Sequence, residues 1–171
     1  KKSLKDSFKF IFSRKIFFSK SAKSDYKVFF INQIIMLLVS PHLLTQITIA
    51  TALYFFFFEI QFIEMGLFSS APQYLIVSLF TLTHFIVDDF SKYIVHRWMH
   101  KWPFLWALHK VHHSATNLTP MTVFRTHPLE GLVFTLRSAF AQGVTISTFV
   151  YLFGSGVDLY TILGANLFVF L

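Results

Sequence analysis

The 171-residue chain contains no cysteine, which excludes a disulfide framework, cysteine-ligated zinc and iron–sulfur clusters. Charge is also scarce. Asp, Glu, Lys and Arg make up 13% of the residues, against 54% hydrophobic residues that include 24 phenylalanines; this is membrane-protein composition. No Lys or Arg occurs between Lys27 and Lys92, where the only charges are Glu59, Glu64, Asp88 and Asp89. There is no internal repeat, no Pro/Ser linker and no sign of a second domain. No short apolar segment ends in a small-residue cleavage site, which disfavours a cleavable signal peptide. Gly154-Ser155-Gly156 is a turn that lacks the spacing of a phosphate-binding loop.

The net charge of +7 resembles a nucleic-acid signal until it is located. Residues 1–27 hold nine Lys/Arg and two Asp and account for all of it; beyond them six basic and six acidic residues balance. Nucleic acid is therefore not an expected partner. Phe8, Phe10, Ile11, Phe12, Ile16, Phe17 and Phe18 alternate with Lys and Arg in this stretch. The pattern predicts a basic amphipathic helix on an anionic bilayer surface, on the cytoplasmic side. The remainder, 28–171, reads as one membrane domain.

Four apolar blocks follow. The first, 28–60, carries Pro41-His42 and is read as one membrane-crossing helix with a bent or interfacial lead-in. Residues 66–72 are turn-like, and 73–95 is long enough to cross. A third block spans 131–153, with Arg137 placed to snorkel back to the interface. A fourth starts near Asp158 and is cut off at Leu171. Basic residues accompany both the tail and the segment after 95, so both belong on the cytoplasmic side. The expected fold is all-α and polytopic: two transmembrane helical hairpins and a cytoplasmic, histidine-rich metal-binding cap. The chain starts at Lys1 and ends within an apolar run, so both ends are expected to be trimmed and the C-terminal side incomplete.

Six of the eight histidines fall in three groups: His96 and His100; His109, His112 and His113; and His127. Neutral imidazole is the commonest protein ligand for iron, zinc and copper. On a helix, the i,i+4 and i,i+3,i+4 spacings place the later histidines within about 40–60° of the first. Trp102-Pro103 interrupts the helix carrying His96 and His100, and a new helix from Pro103 is expected to carry His109, His112 and His113. Five nitrogens exceed one tetrahedral zinc and fall short of two octahedral irons, so further ligands are expected from elsewhere. The inward Glu and Glu-x-x-His pairs of soluble di-iron bundles are absent.

Asp89-x-x-x-Tyr93-x-x-His96-Arg97-x-x-His100, then Leu105-Trp106-x-x-His109-Lys110-x-His112-His113-Ser114, then Arg125-x-His127-Pro128-x-Glu130 closely resembles the fatty acid hydroxylase/sterol desaturase superfamily of integral-membrane di-iron oxygenases. The resemblance covers roughly residues 74–153. It implies two iron ions held by histidines facing the cytoplasm, in a bacterial inner membrane or the endoplasmic reticulum. It further implies O2 activation and hydroxylation or desaturation at an unactivated C–H bond of a sterol, fatty acyl or related lipid. Electrons would come from NAD(P)H through a separate reductase and a cytochrome b5- or ferredoxin-type donor. His96, His100, His109, His112 and His113 carry over as ligands. The family has another His-x-x-His-His group after its last membrane hairpin, which these 171 residues do not reach.

His127 is either a ligand or a helix cap with contacts to Arg125 and Glu130. Asp89 either orients a ligating imidazole or pairs with Lys92 or Arg97; Tyr93, Arg125 and Glu130 are the other candidates for supporting the ligands. Arg125 and Glu130 could equally form a structural ion pair. His84 is expected to be a hydrogen-bonded core histidine and His42 a helix-break residue, while Trp98, Trp102 and Trp106 read as interfacial anchors. Two other classes compete. A histidine-rich membrane metal transporter or sensor needs carboxylates along a path, for which Asp88 and Asp89 are the only candidates. A bis-histidine haem protein needs histidines at matching depth, and only His84 is mid-span.

Overall fold

A computed structural model describes residues 13–43, 45–60 and 63–170. Among the described residues, seven α-helices and short 3-10 turns account for the regular structure, and no strand occurs. The helices are α1 (Arg14–Phe17), α2 (Lys20–Val39), α3 (Gln46–Ile60), α4 (Gln73–Lys101), α5 (Pro103–His109), α6 (Pro128–Phe153) and α7 (Leu159–Phe170). The chain divides into two compact units, one from residues 1–42 and 97–133, the other from 43–96 and 134–171. Both α4 and α6 run through a boundary.

In the first unit, Ser19 caps α2 by accepting the Ala22 N–H at 3.1 Å, satisfying a donor that a helix start leaves open. The boundary expected after Lys27 falls inside α2. Its basic residues sit in the first half and its exposed Phe30, Ile31, Ile34, Leu37 and Leu38 in the second, so its polarity runs end to end. The part of the amphipathic tail assigned to residues 1–12 lies outside the described residues.

In the block 28–60, the expected lead-in and the apolar part after it are two separate helices. α2 ends at Val39, a 3-10 turn covers Ser40–His42, and α3 begins at Gln46. Pro41 has no N–H to continue the ladder, which is why the break falls there.

In the second unit, Ile76 and Phe80 of α4 meet Phe149 and Phe153 of α6 and Ala165 of α7 in one core. Phe80 and Phe149 pack edge to face at 5.2 Å. From Ala139 to Phe153 every second residue of α6 is buried. Steps of two advance about 200° around a helix, so α6 is covered on two opposite faces. Gly66, at φ +72°, lies in a turn whose backbone N–H groups bond Tyr151 and Leu152 carbonyls at 2.8 and 2.9 Å. These are last-turn carbonyls that α6 cannot satisfy itself.

Among the described residues, α4 alone is long and apolar enough to cross a membrane; α3 supplies a shorter apolar stretch. α6 has the length, but Arg137, Gln142 and its Ser and Thr residues dilute its apolar character. Arg137 does not snorkel. It is largely buried, with its side chain 10% exposed, and donates to the Asp88 carboxylate at 2.7 Å and to the Ser91 hydroxyl at 2.9 Å, because a guanidinium withdrawn from water is less costly paired than unpaired.

Candidate metal centre

Trp102 is extended (φ −95°, ψ 123°) and Pro103 opens α5. A proline disfavours helical backbone in the residue before it and is pre-organised for a helix start. This break ends α4 just past His100. α5 stops at His109, so His112 and His113 do not continue it; they lie in a 3-10 turn over His112–Ser114. His96 and His100 are one turn apart on α4, and the boundary between the units falls immediately after His96.

The imidazoles converge. His109 Nε2 lies 3.2 Å from His100 Nε2 and 3.0 Å from His113 Nε2. His109 and His112 stack with ring centres 5.6 Å apart. Trp106, one turn before Lys110, covers the group, 5.4 Å from the His100 ring and 5.6 Å from that of His113.

Glu130, in the first turn of α6, sets the polarity of this cluster. His109 Nδ1 donates to Glu130 Oε1 at 2.7 Å, and both residues are 2% exposed. An ionised carboxylate there fixes the proton on Nδ1, and the helix N-terminus favours that charge. His109 Nε2 is thereby a bare lone pair. Two neighbouring Nε2 atoms lie at hydrogen-bond distance from it, yet one lone pair accepts one N–H well. The arrangement suits a shared cation better. Nitrogens 3.0–3.2 Å apart match the chord between ligands about 2.1 Å from one ion at about 90–100°. His112 Nδ1 and Glu130 Oε2 are buried without a hydrogen-bond partner, which adds polar capacity beside the cluster. The donor set therefore fits a nitrogen-preferring transition metal. Partial burial, then the neighbouring His109, His100 and His112, push the His113 imidazole below the ordinary histidine value, with Glu130 opposing; the neutral form is the ligating one.

Other candidates are placed differently. Arg125 is paired with Asp25 at 2.9 Å, not with Glu130. Asp89 is exposed, and its carboxylate has no hydrogen-bond or ion-pair partner among the described residues. Asp88 beside it is the buried acid, and it takes Lys92 at 3.3 Å. Tyr93 is 57% exposed. His127 Nδ1 accepts the Leu129 N–H at 3.2 Å, a cap at the start of α6. His84 is buried and stacks on Phe80. A cleft of about 360 Å³ opens beside the histidines, lined by His112, His113, Leu118, Thr119, Thr122 and Val123.

Two contributors escaped sequence reasoning. Trp106 read as a lipid anchor, although its spacing of three from His109 placed it on the same helix face. Asp25 was counted only as charge. Its signal is the stripe Ala22, Asp25, Phe29, Asn32 and Met36 on α2, at the i,i+3,i+4 spacing of a packed face.

A family model described as fatty acid hydroxylase matches residues 81–168, just over half of the chain. A Delta(7)-sterol 5(6)-desaturase of Eremothecium gossypii is 36% identical over 73 residues, 42% of this chain and 20% of that protein. One from Saccharomyces cerevisiae is 40% identical over 60 residues, 34% of this chain and 16% of that protein. The chain thus spans a fifth or less of the length of these curated relatives. No solved structure matches it. The match across α4, α5, the histidine turns, α6 and most of α7 establishes that the chain belongs to the fatty acid hydroxylase family.

Proposed function

We propose that the chain is the histidine-bearing part of an O2-dependent, di-iron membrane oxidoreductase that hydroxylates or desaturates a sterol, fatty acyl or related lipid. The observation that carries this reading is the meeting of His100, His109 and His113 through Nε2, with Glu130 holding the His109 proton on the far nitrogen. The named activity of the two yeast-type relatives supports the lipid oxidation.

His96, His100, His109, His112 and His113 are the proposed ligands, with His127 a sixth candidate from the start of α6. Bound iron would supply O2 activation and C–H cleavage, with electrons from NAD(P)H through a cytochrome b5- or ferredoxin-type partner. The chain's own residues do the positioning. Glu130 fixes the His109 tautomer and raises its basicity. Trp106 screens the His100 and His113 rings from water on one side. The cleft beside His112 and His113, with apolar Leu118 and Val123, offers room for a lipid carbon next to the ligands.

The dimensions of α4 support a membrane placement. Its 29 residues extend about 44 Å at about 1.5 Å each, while a hydrocarbon core is about 30 Å thick. Asp88, Asp89, Lys92, Arg97 and Lys101 all lie in its second half, so the overhang is at the histidine end. We place that end at the cytoplasmic face, in a bacterial inner membrane or the endoplasmic reticulum. Two helical hairpins then bracket the histidine cap, and basic residues 1–27 anchor on anionic lipid.

Lipid mass spectrometry of cells expressing the full-length protein tests the activity. The expected products are membrane lipids that gain one oxygen or lose two hydrogens, dependent on O2 and absent with His109→Ala. Equal product from His109→Ala and the parent protein would overturn the proposal.

A further inference from the structure

We propose that Asp25 of α2 is a positioning residue for the histidine centre, the anchor of a buried clamp that sets the path of the connection between His113 and Glu130. The proposal rests on reading those histidines as a metal site. Asp25 lies outside the residues matched by the family model and is 0% exposed.

Its two oxygens are both engaged. Thr122 Oγ1 donates to Oδ2 at 2.8 Å and Arg125 Nη1 donates to Oδ1 at 2.9 Å. Arg125 Nη1 also reaches the Ser21 hydroxyl at 3.2 Å, and Ser21 Oγ accepts the Thr116 N–H at 3.2 Å. Thr122 Oγ1 accepts the Thr119 N–H at 2.9 Å. Farther along α2, Asn32 donates to the Thr126 carbonyl at 2.9 Å. Ser21, Asp25 and Asn32 follow i, i+4, i+11 spacing and so fall within about 40° on one face of α2.

That face therefore holds the whole segment from Thr116 to Thr126. The segment begins three residues after His113 and ends four before Glu130. Holding it fixes both ends of the cluster, the His112–His113 turn and the carboxylate that orients His109. Thr122, the residue Asp25 grips, also lines the cleft beside His112 and His113. An ion pair between a fully buried carboxylate and a largely buried guanidinium adds little stability by itself, because apolar residues of similar volume often do as well. What it supplies is a defined, directional geometry, and geometry is what a ligand cluster requires.

The test uses full-length apo-protein in detergent, titrated with Co(II) and followed by visible absorption, alongside amide hydrogen exchange over residues 112–130. Asp25→Asn and Thr122→Val should each weaken Co(II) binding at least tenfold and alter its ligand-field bands. Thr122→Ser, which keeps the hydroxyl, should restore both. Exchange should rise in 112–127 and not in α7. Wild-type affinity and spectrum in both folded variants would overturn the proposal, as would a rise in exchange spread evenly over both units. If Asp25→Asn does not fold, Thr122→Val decides, since it leaves no buried charge unpaired. If the parent protein binds no Co(II), the metal reading fails separately. The exchange pattern then decides the clamp alone: a rise confined to 112–127 supports it and unchanged exchange overturns it.

Discussion

Glu130 and His109 share one short hydrogen bond of 2.7 Å in a nearly water-free setting, and that bond determines which imidazole nitrogen faces the cluster. Glu130→Gln keeps the shape but replaces a charged acceptor with a weaker neutral one. It should lower metal affinity by about 10–100-fold, the usual effect of removing such an outer partner, with His109 still in place. A metal titration of the variant beside the parent checks this. At this scale the sequence was informative where chemistry is local. His109 and the acid at 130 were readable as candidates because few residue types ligate metals or orient imidazoles. The partner of Arg125 was not readable: Asp25 lies 100 residues away, and spacing arguments do not reach across such a loop. Asp89 is the acid that the sequence offers as a partner for an imidazole, whereas the buried pair forms at Asp88 because Arg137 sits opposite it.

Helices and turns behave as their punctuation dictates. Pro103 ends α4 beside the histidines, as its lack of an N–H and its constraint on Trp102 require. The 28–60 block breaks at Pro41, the residue that marked the bend in its lead-in. Arg137 and Asp88 join α6 to α4 within the second unit, with side chains 10% and 8% exposed. Arg137→Ala should destabilise the protein by about 3 kcal/mol, since it strands a buried charge. Lys92, at 3.3 Å, only partly compensates. The double variant Asp88→Asn/Arg137→Gln should cost less than the single change. Thermal unfolding in detergent measures both. At the start of α7, the backbone N–H and the hydroxyl of Thr161, each 2.7 Å from Asp158 Oδ1, hold the Asp158 carboxyl below its usual value. A carboxyl depressed in the folded state stabilises fully above its unfolded pKa of about 3.9 and loses that contribution as pH falls through the folded value. Asp158→Ala should therefore speed amide exchange in the first turn of α7 at neutral pH, and the difference from the parent should vanish in strong acid.

For the whole molecule, the all-helical character and the family were legible because composition and an ordered histidine pattern both survive without coordinates. The membrane arrangement was less so. Among the described residues only α4 meets the length and apolarity of a span, and α6 keeps the length while carrying polar groups, some of which its own backbone satisfies, as with Thr145 bonded to the Ala141 carbonyl at 2.9 Å. The proposed paired hairpins make a direct prediction. Single cysteines at Ser3 and Ser114 should react with a membrane-impermeant thiol reagent from the cytoplasmic side, and one at Ser70 from the opposite side. Labelling of Ser3 and Ser114 from opposite faces would contradict that topology. Elemental analysis of full-length protein purified in detergent reads out whether the converging histidines hold metal. Close to two irons per chain are expected, most of it lost in His109→Ala and in His113→Ala. Full iron content in both folded variants, or none in the parent protein after iron loading, would contradict that expectation.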